Sequence, residues 1–175
     1  MHFLEIKEYT NDSSQEEIEV LMRRIFLYEK DLIIYREMPK VSDFQLDVYF
    51  NKLKEIIDKR KRYYMIIDLT ETQSLTLWEI KQKIKQMFTP FLSTLKHVSV
   101  NTGKNVTLNI TARFQYKNLG FNSCSFHTSF PKALKSISVK RVVHKKAFSK
   151  VINHPPPTMS APDRQIRGID ARAYF

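Results

Sequence analysis

The hydrophobic pattern is clearest between residues 63 and 87. Residues 63–67 form a continuous apolar run of aromatic and aliphatic side chains, which is typical of a strand buried on both faces. A polar loop follows Asp68. Apolar residues then recur at three- and four-residue steps, which predicts a helix: Leu77, Ile80, Ile84 and Met87. The carboxyl end of such a strand is where ligands and partners usually bind in open α/β sheets.

The segment before this strand predicts a hairpin and a helix. Ile18, Val20 and Met22 recur at alternate positions, and apolar content continues to Tyr35 with a break at residues 29–31. This pattern predicts a β-hairpin. Ser42 then provides an N-cap for a helix whose apolar positions are Phe44, Leu46, Val48, Tyr49, Leu53, Ile56 and Ile57.

The segment after residue 87 continues the alternation of strands and helices. Residues 95–100 predict a strand, and residues 106–114 predict a helix that ends in a left-handed cap at Gly120. Residues 123–127 predict a short strand, followed by a short helix over residues 132–137. The β-branched residues at 139–143 favour one further strand.

These elements predict an α/β domain with a single mixed β-sheet and helices, in which an N-terminal hairpin precedes alternating helices and strands. The predicted boundaries are an N-terminal extension over residues 1–16, the α/β domain over residues 17–138, and a basic C-terminal tail over residues 139–175. Three consecutive prolines and the lack of any periodic pattern predict an extended segment from residue 153 onwards.

The composition adds an uneven distribution of charge. The net charge is +11, but residues 1–71 carry 12 lysines and arginines against 15 acidic residues. Residues 72–162 carry 14 against one acidic residue, Glu79. This asymmetry favours an acidic partner, or else a solvated basic surface. No apolar run approaches the ~20 residues of a membrane span, no secretory leader is expected, and the single cysteine has no internal partner. We therefore expect a cytosolic (cytoplasmic) protein.

Four hydroxyl residues surround the amino end of the predicted central helix: Thr70, Thr72, Ser74 and Thr76. A phosphate placed here would interact favourably with the helix dipole and its free N–H groups. The competing interpretation is that Ser74 or Thr76 caps the helix, with Glu79 completing a capping box. Capping alone accounts for these residue types.

A second candidate is the turn between the predicted strand at 95–100 and the next helix. Its residues are Thr102, Gly103, Lys104 and Asn105. Backbone N–H groups and the lysine could bind an anion there. The turn is not a Walker loop, because the upstream glycine and the magnesium-binding hydroxyl are absent. The alternative is a plain turn with an exposed lysine.

Catalytic and metal-binding patterns are not evident in the sequence. None of the five histidines is paired at ligand spacing, and His97 and His127 fall in predicted strands. Cys124 has no base beside it, and Asp68 has no second carboxylate at a defined spacing. We therefore predict no enzyme activity, no metal and no cofactor. The basic run at residues 140–150 lacks a recognised nucleic-acid motif, so a nucleic-acid partner is the least favoured.

Several strings resemble those of STAS domains, the anti-sigma-factor-antagonist fold. They are residues 65–70, which end in Asp-Leu-Thr, residues 95–105, the Gly120-Phe121 pair and residues 130–134. The resemblance covers roughly residues 18–137. Phosphorylation-switched STAS proteins carry Asp-Ser-Ser-Gly before the central helix, whereas this chain has Thr-Gln-Ser-Leu-Thr-Leu at residues 72–77.

The resemblance implies a non-enzymatic regulatory module that binds a signalling protein, such as a kinase or phosphatase, through the turn before the central helix. The alternatives are a small-molecule or lipid ligand, as the SEC14-type side of the resemblance implies, and a nucleic acid bound by the basic half.

Overall fold

The computed structural model describes residues 9–58, 60–72, 78–121 and 123–152. It contains five α-helices, α1 (Gln15–Met22), α2 (Asp43–Ile57), α3 (Trp78–Phe88), α4 (Val106–Asn118) and α5 (Phe130–Ile152). The five strands are β1 (Ile25–Glu29), β2 (Leu32–Arg36), β3 (Tyr63–Asp68), β4 (Leu95–Asn101) and β5 (Cys124–His127). A 3-10 turn, Thr89–Phe91, follows α3.

The strands form one mixed sheet in the order β1-β2-β3-β4-β5. Strand β1 is antiparallel to β2, and the other neighbouring pairs are parallel. The predicted α/β class, the hairpin and the alternation of helix and strand are therefore confirmed. Strand β3 lies in the middle, and its residues 63–67 are all buried, as the continuous apolar run predicts.

The two faces of the sheet are covered by different helices. On one face Met65 and Ile67 of β3 belong to the larger core cluster, together with apolar side chains of α2, α3 and α4. On the other face Tyr64 and Ile66 pack in a smaller cluster with Leu32, Ile34 and two residues of α5, Ala133 and Ile137. The alternation of side chains along β3 thus requires two apolar layers.

Helix α1 replaces the strand that was predicted from residue 18. Ser14 accepts a hydrogen bond from the backbone N–H of Glu17, and the Glu17 side chain accepts one from the N–H of Ser14. This capping box fixes the start of the helix. Only Leu21 of α1 is buried, so the alternation of Ile18, Val20 and Met22 does not mark one buried face.

Helix α5 contains the short helix predicted over residues 132–137 and replaces the strand predicted over residues 139–143. It runs without interruption from Phe130 to Ile152, and Val139, Val142 and Val143 are exposed on it. The β-branched content of residues 139–143 therefore gave a wrong prediction. The helix continues because neither glycine nor proline occurs between residues 132 and 152.

The chain divides into two compact units, Met1–Lys140 and Arg141–Phe175. The first contains the sheet. In the second the structure describes only the last part of α5, and the predicted extended tail from residue 153 lies outside the described residues. Among all the residues that the structure describes, no helix has both the length and the apolar content needed to cross a membrane.

Replacing Ile66 with aspartate should unfold the domain. Ile66 is fully buried between β2 and β4, and an unpaired buried charge costs several kcal/mol, on the order of the whole stability of a small domain. Circular dichroism and urea unfolding would measure the effect. The control is Leu27→Asp on the edge strand β1, where the side chain is exposed and we expect a folded protein. A folded Ile66→Asp variant would contradict the central position of β3.

Candidate functional site

The carboxyl ends of β3 and β4 are joined by a hydrogen bond between side chains. Asp68 and Asn101 are register partners, and Asn101 Nδ2 donates to Asp68 Oδ1 at 3.0 Å. The same carboxylate oxygen accepts from the backbone N–H of Thr70 at 3.2 Å and from Thr70 Oγ1 at 2.9 Å. Asp68 therefore fixes the start of the loop that leads to α3.

Asn101 extends this connection to the next loop. Its Oδ1 accepts a hydrogen bond from the backbone N–H of Gly103 at 3.2 Å. Gly103 has a φ of +61°, and a Cβ on it would lie 3.3 Å from Thr70 Cγ2. The two loops that the sequence indicated as separate candidates are thus in contact at one edge of the sheet. We call the surface formed by Thr70, Glu71, Gly103 and Lys104 the carboxyl-edge surface.

The four hydroxyl residues of the first candidate differ in accessibility. Thr70 is exposed, whereas Thr72 is buried, and Thr72 Oγ1 has no hydrogen-bond partner among the described residues. Ser74 and Thr76 lie outside the described residues, as does the amino-terminal cap predicted for α3. Of the two described hydroxyls, only that of Thr70 is accessible to a modifying enzyme.

The second candidate is largely engaged in holding the fold together. Thr102 is buried, and its Oγ1 donates to the carbonyl oxygen of His127 and accepts from Asn109 Nδ2 at 2.8 Å. The Asn105 side chain caps α4 by accepting from a backbone N–H. Only Lys104 points a charged group to solvent without such a role. These contacts favour the interpretation as a turn and cap over that of an anion cradle.

Arg24 also supports this edge, although nothing in the sequence identifies it. Its Nη2 donates to the carbonyl oxygen of Glu37 at 3.0 Å and to Glu71 Oε2 at 2.5 Å. The arginine therefore joins the residue before β1, the residue after β2 and the loop after β3. Its partners lie 13 and 47 residues away in the sequence, so no local pattern could have revealed it.

Glu37 is a buried carboxyl group close to this edge. It accepts hydrogen bonds from Tyr35 Oη at 2.8 Å, from the N–H of Met38 at 3.0 Å and from Gln45 Nε2 at 3.4 Å. Burial raises the pKa of Glu37, and the hydrogen bonds from Met38 and Tyr35 and the charge of Arg24 act in the opposite direction. Because its oxygens are engaged by the fold, Glu37 acts as a structural group.

A cluster of serines and histidines lies between β4, β5 and α5. Ser125 Oγ is within 3.1 Å of four polar atoms: His97 Nε2, His127 Nε2, Ser99 Oγ and Ser136 Oγ. One hydroxyl has a single hydrogen and two acceptor positions, so it can satisfy only three of these four at once. His97 is held independently through its other ring nitrogen, Nδ1, which lies 2.7 Å from Ser123 Oγ.

The cysteine beside this cluster has the properties of an inert thiol. Cys124 is half-buried, and burial raises its pKa to about 12. A thiol with this pKa remains protonated near neutral pH, and the thiolate is the nucleophilic form. Burial therefore favours the protonated, less reactive form of the Cys124 thiol.

Compared with known proteins, the chain matches no family model, no curated protein and no solved structure. The resemblance to STAS domains therefore stays a prediction. Across the described ranges, no group of three or more histidine, cysteine and acidic side chains could hold a metal ion.

The contact between Gly103 and Thr70 can be tested by a double-mutant cycle. Gly103→Ala should lower the free energy of unfolding by about 1–2 kcal/mol, because the backbone is left-handed and the new Cβ meets Thr70 Cγ2. Thr70→Ser removes that methyl group, so Gly103→Ala should be less destabilising in the Thr70→Ser background. Urea unfolding of the four proteins measures the coupling.

Gly120→Ala is the matched control for this cycle. Gly120 is also left-handed, with a φ of +84°, but its Cβ would meet Leu92 and not Thr70. We expect its cost to be the same in both backgrounds. Equal costs for Gly103→Ala in both backgrounds would show that the two loops are not in contact.

His127 should make the stability depend on pH. Burial lowers its pKa from 6.5, and the positive charges of Arg113 and Lys132 lower it further. The unfolded chain then binds the proton more readily than the folded one, so stability falls as pH decreases through 6.5 towards the folded pKa. His127→Gln should reduce this loss, measured by urea unfolding at about pH 7.5 and about pH 5. If the wild type and His127→Gln lost the same stability between these pH values, His127 would not be the group responsible, because His97 is present in both proteins.

Proposed function

We propose that the chain is a non-enzymatic module that binds another protein through the carboxyl-edge surface. The single observation that carries this proposal is the junction of the two loops, through the Asp68–Asn101 hydrogen bond and the approach of Gly103 to Thr70. The residues of this junction are held by these contacts, and groups that are already held lose little conformational entropy when a partner binds. The junction lies at the edge of a parallel sheet where partners usually bind.

The chemistry of the junction favours recognition over catalysis. Asp68 Oδ1 accepts three hydrogen bonds from the protein itself, and Asn101 uses both its amide nitrogen and its oxygen within the junction. A general acid or base needs a group that is available to a substrate. The groups that remain exposed are the Thr70 side chain, the Glu71 carboxylate and the Lys104 ammonium. The Glu71 carboxylate is already paired with Arg24, so the surface offers a partner hydrogen-bonding groups and the positive charge of Lys104.

The structure gives less support to a small-molecule or lipid ligand. A cleft of about 370 Å³ lies at the opposite edge of the sheet, where residues of α2 and of the segments before β3 and β4 line it: Phe50, Lys54, Ile57, Asp58, Arg60, Pro90, Phe91 and Thr94. The face of the sheet under α5 is filled by packed side chains, including Ile34, Tyr64 and Ile66. The carboxyl-edge surface is therefore the better candidate, and we propose that it acts in the cytosol.

The proposal is tested by changing the charges of the carboxyl-edge surface. Tagged full-length protein carrying Thr70→Arg and Lys104→Glu is purified from its own cells beside the wild type, and co-purified proteins are quantified by mass spectrometry. We expect a protein that the wild type retains to be depleted about tenfold, as a loss of about 1.4 kcal/mol would give.

Lys61→Glu is the matched control, because Lys61 is exposed just before β3, at the other end of that strand. It reverses the same type of charge as Lys104→Glu and should retain the partner. The proposal fails if all three proteins retain the same set of partners, or if none retains any.

A further inference from the structure

Helix α4 carries apolar side chains on two opposite sides. Leu108, Ala112 and Tyr116 are buried in the core. On the other side Val106, Ile110 and Phe114 are 71%, 65% and 71% exposed. A helix on the surface of a domain normally shows one apolar side and one polar side. The second apolar side of α4 is therefore not explained by the packing of this fold.

The three exposed side chains form a continuous stripe, which we call the outer stripe of α4. They are spaced by four residues, so each lies next to the following one, and the stripe extends about 12 Å along the helix. Helix α2 provides a comparison within the same domain, because its exposed positions include Asp47, Asn51, Lys54 and Glu55. The surface of α2 is thus polar where that of α4 is apolar.

The flanks of the outer stripe differ in charge. At 100° per residue, Arg113 and Lys117 lie along one flank, and Thr107 and Thr111 lie along the other. Arg113 is held in place, because its Nε donates to Asn109 Oδ1 at 2.7 Å and its guanidinium carbon lies 5.0 Å from the centre of the Phe126 ring. One flank therefore presents a positioned cation beside the apolar side chains.

No acidic group of the described residues neutralises this flank. Helix α4 contains neither aspartate nor glutamate, and none occurs between residues 80 and 162. Within the described ranges, Arg113 and Lys117 form no ion pair, and the same is true of Lys104 just before the helix. A partner with acidic groups beside an apolar ridge would complement both features.

We propose that the outer stripe of α4 docks an acidic amphipathic helix of a partner protein. Apolar residues of that helix at three- and four-residue steps would cover Val106, Ile110 and Phe114, and its acidic residues would face Arg113 and Lys117. The proposal adds a docking surface to the carboxyl-edge surface and does not depend on it.

A second copy of the chain and a membrane surface fit α4 less well. An antiparallel pairing of α4 with its copy would bring Arg113 and Lys117 to the same side as their counterparts, and like charges in contact are unfavourable. An amphipathic helix that lies in a membrane interface has a strongly charged polar face opposite its apolar face. In α4 the side opposite the outer stripe is the buried one.

The test uses a photo-crosslinking residue in the full-length protein. The aromatic crosslinker p-benzoylphenylalanine is placed at Phe114, and the protein is irradiated in its own cells. Mass spectrometry then identifies the crosslinked segment. The control position is Tyr28, an exposed aromatic residue on β1. We expect a crosslink from position 114, and not from position 28, to a segment that combines periodic apolar residues with several acidic ones.

Charge reversal then tests the role of the flank. Arg113→Glu combined with Lys117→Glu should lower the crosslink yield about tenfold. Lys61→Glu combined with Arg62→Glu makes the same change in net charge at exposed positions before β3, and the yield should be unchanged. When the irradiation is repeated in a lysate of the same cells, raising the salt concentration should also lower the yield with the native flank, and this measurement does not depend on how any flank variant folds.

Several outcomes would overturn the proposal. One is a crosslink to a second copy of the chain, to a lipid or to a nucleic acid. Another is a crosslink to a protein segment that has no acidic residues. The third is a crosslink yield from position 114 that does not exceed the yield from position 28. The same crosslinker at Thr70 reports on the carboxyl-edge surface. Crosslinks from position 114 alone would support α4 and contradict the proposed function, and crosslinks from position 70 alone would do the reverse.

Discussion

Strand β3 must be covered on both faces, and the rest of the structure follows from this requirement. Five consecutive side chains of the strand are buried, so the sheet needs an apolar layer on each side. Helices α2, α3 and α4 provide one layer, and α5 provides the other. Asp68, the last residue of the strand, is the first that is only partly buried. The carboxylate of β3 is thereby placed at the end of the strand, where it meets the Asn101 amide of β4.

The carboxyl edge shows how a site can be ordered before it binds anything. Asp68 and Asn101 satisfy each other and the backbone of both loops, while Arg24 ties the neighbouring strands to the same place. This arrangement leaves few polar groups available to a partner, but it fixes the positions of the groups that remain available. A surface of this kind suits recognition, because the entropy of fixing the residues of the junction is lost on folding and not on binding.

Most of the fold could be predicted because local signals agreed with the tertiary structure. The Ser42 cap and the stripe of α2, the buried run of β3 and the left-handed Gly120 are examples. Helix α1 was missed because alternating residues in a segment of eight fit either period, and the capping box at Ser14 was the better signal. The site was only half predictable. The two loops could be recognised from their local residue types. Their contact and the role of Arg24 could not, because they depend on strands that are distant in the sequence.

The strand order of this sheet equals the order of the strands along the chain. Each strand therefore pairs with the one made just before it, and no strand must wait for a distant partner. A sheet of this kind can assemble progressively while the polypeptide leaves the ribosome, because each strand needs only the strand before it in the chain. Helix α5 is the exception. Ala133 and Ile137 come last, so Leu32, Ile34, Tyr64 and Ile66 lack their cover until nearly all of the domain has been synthesised. A nascent chain arrested before α5 would expose that apolar face, and this intermediate is where chaperones would act.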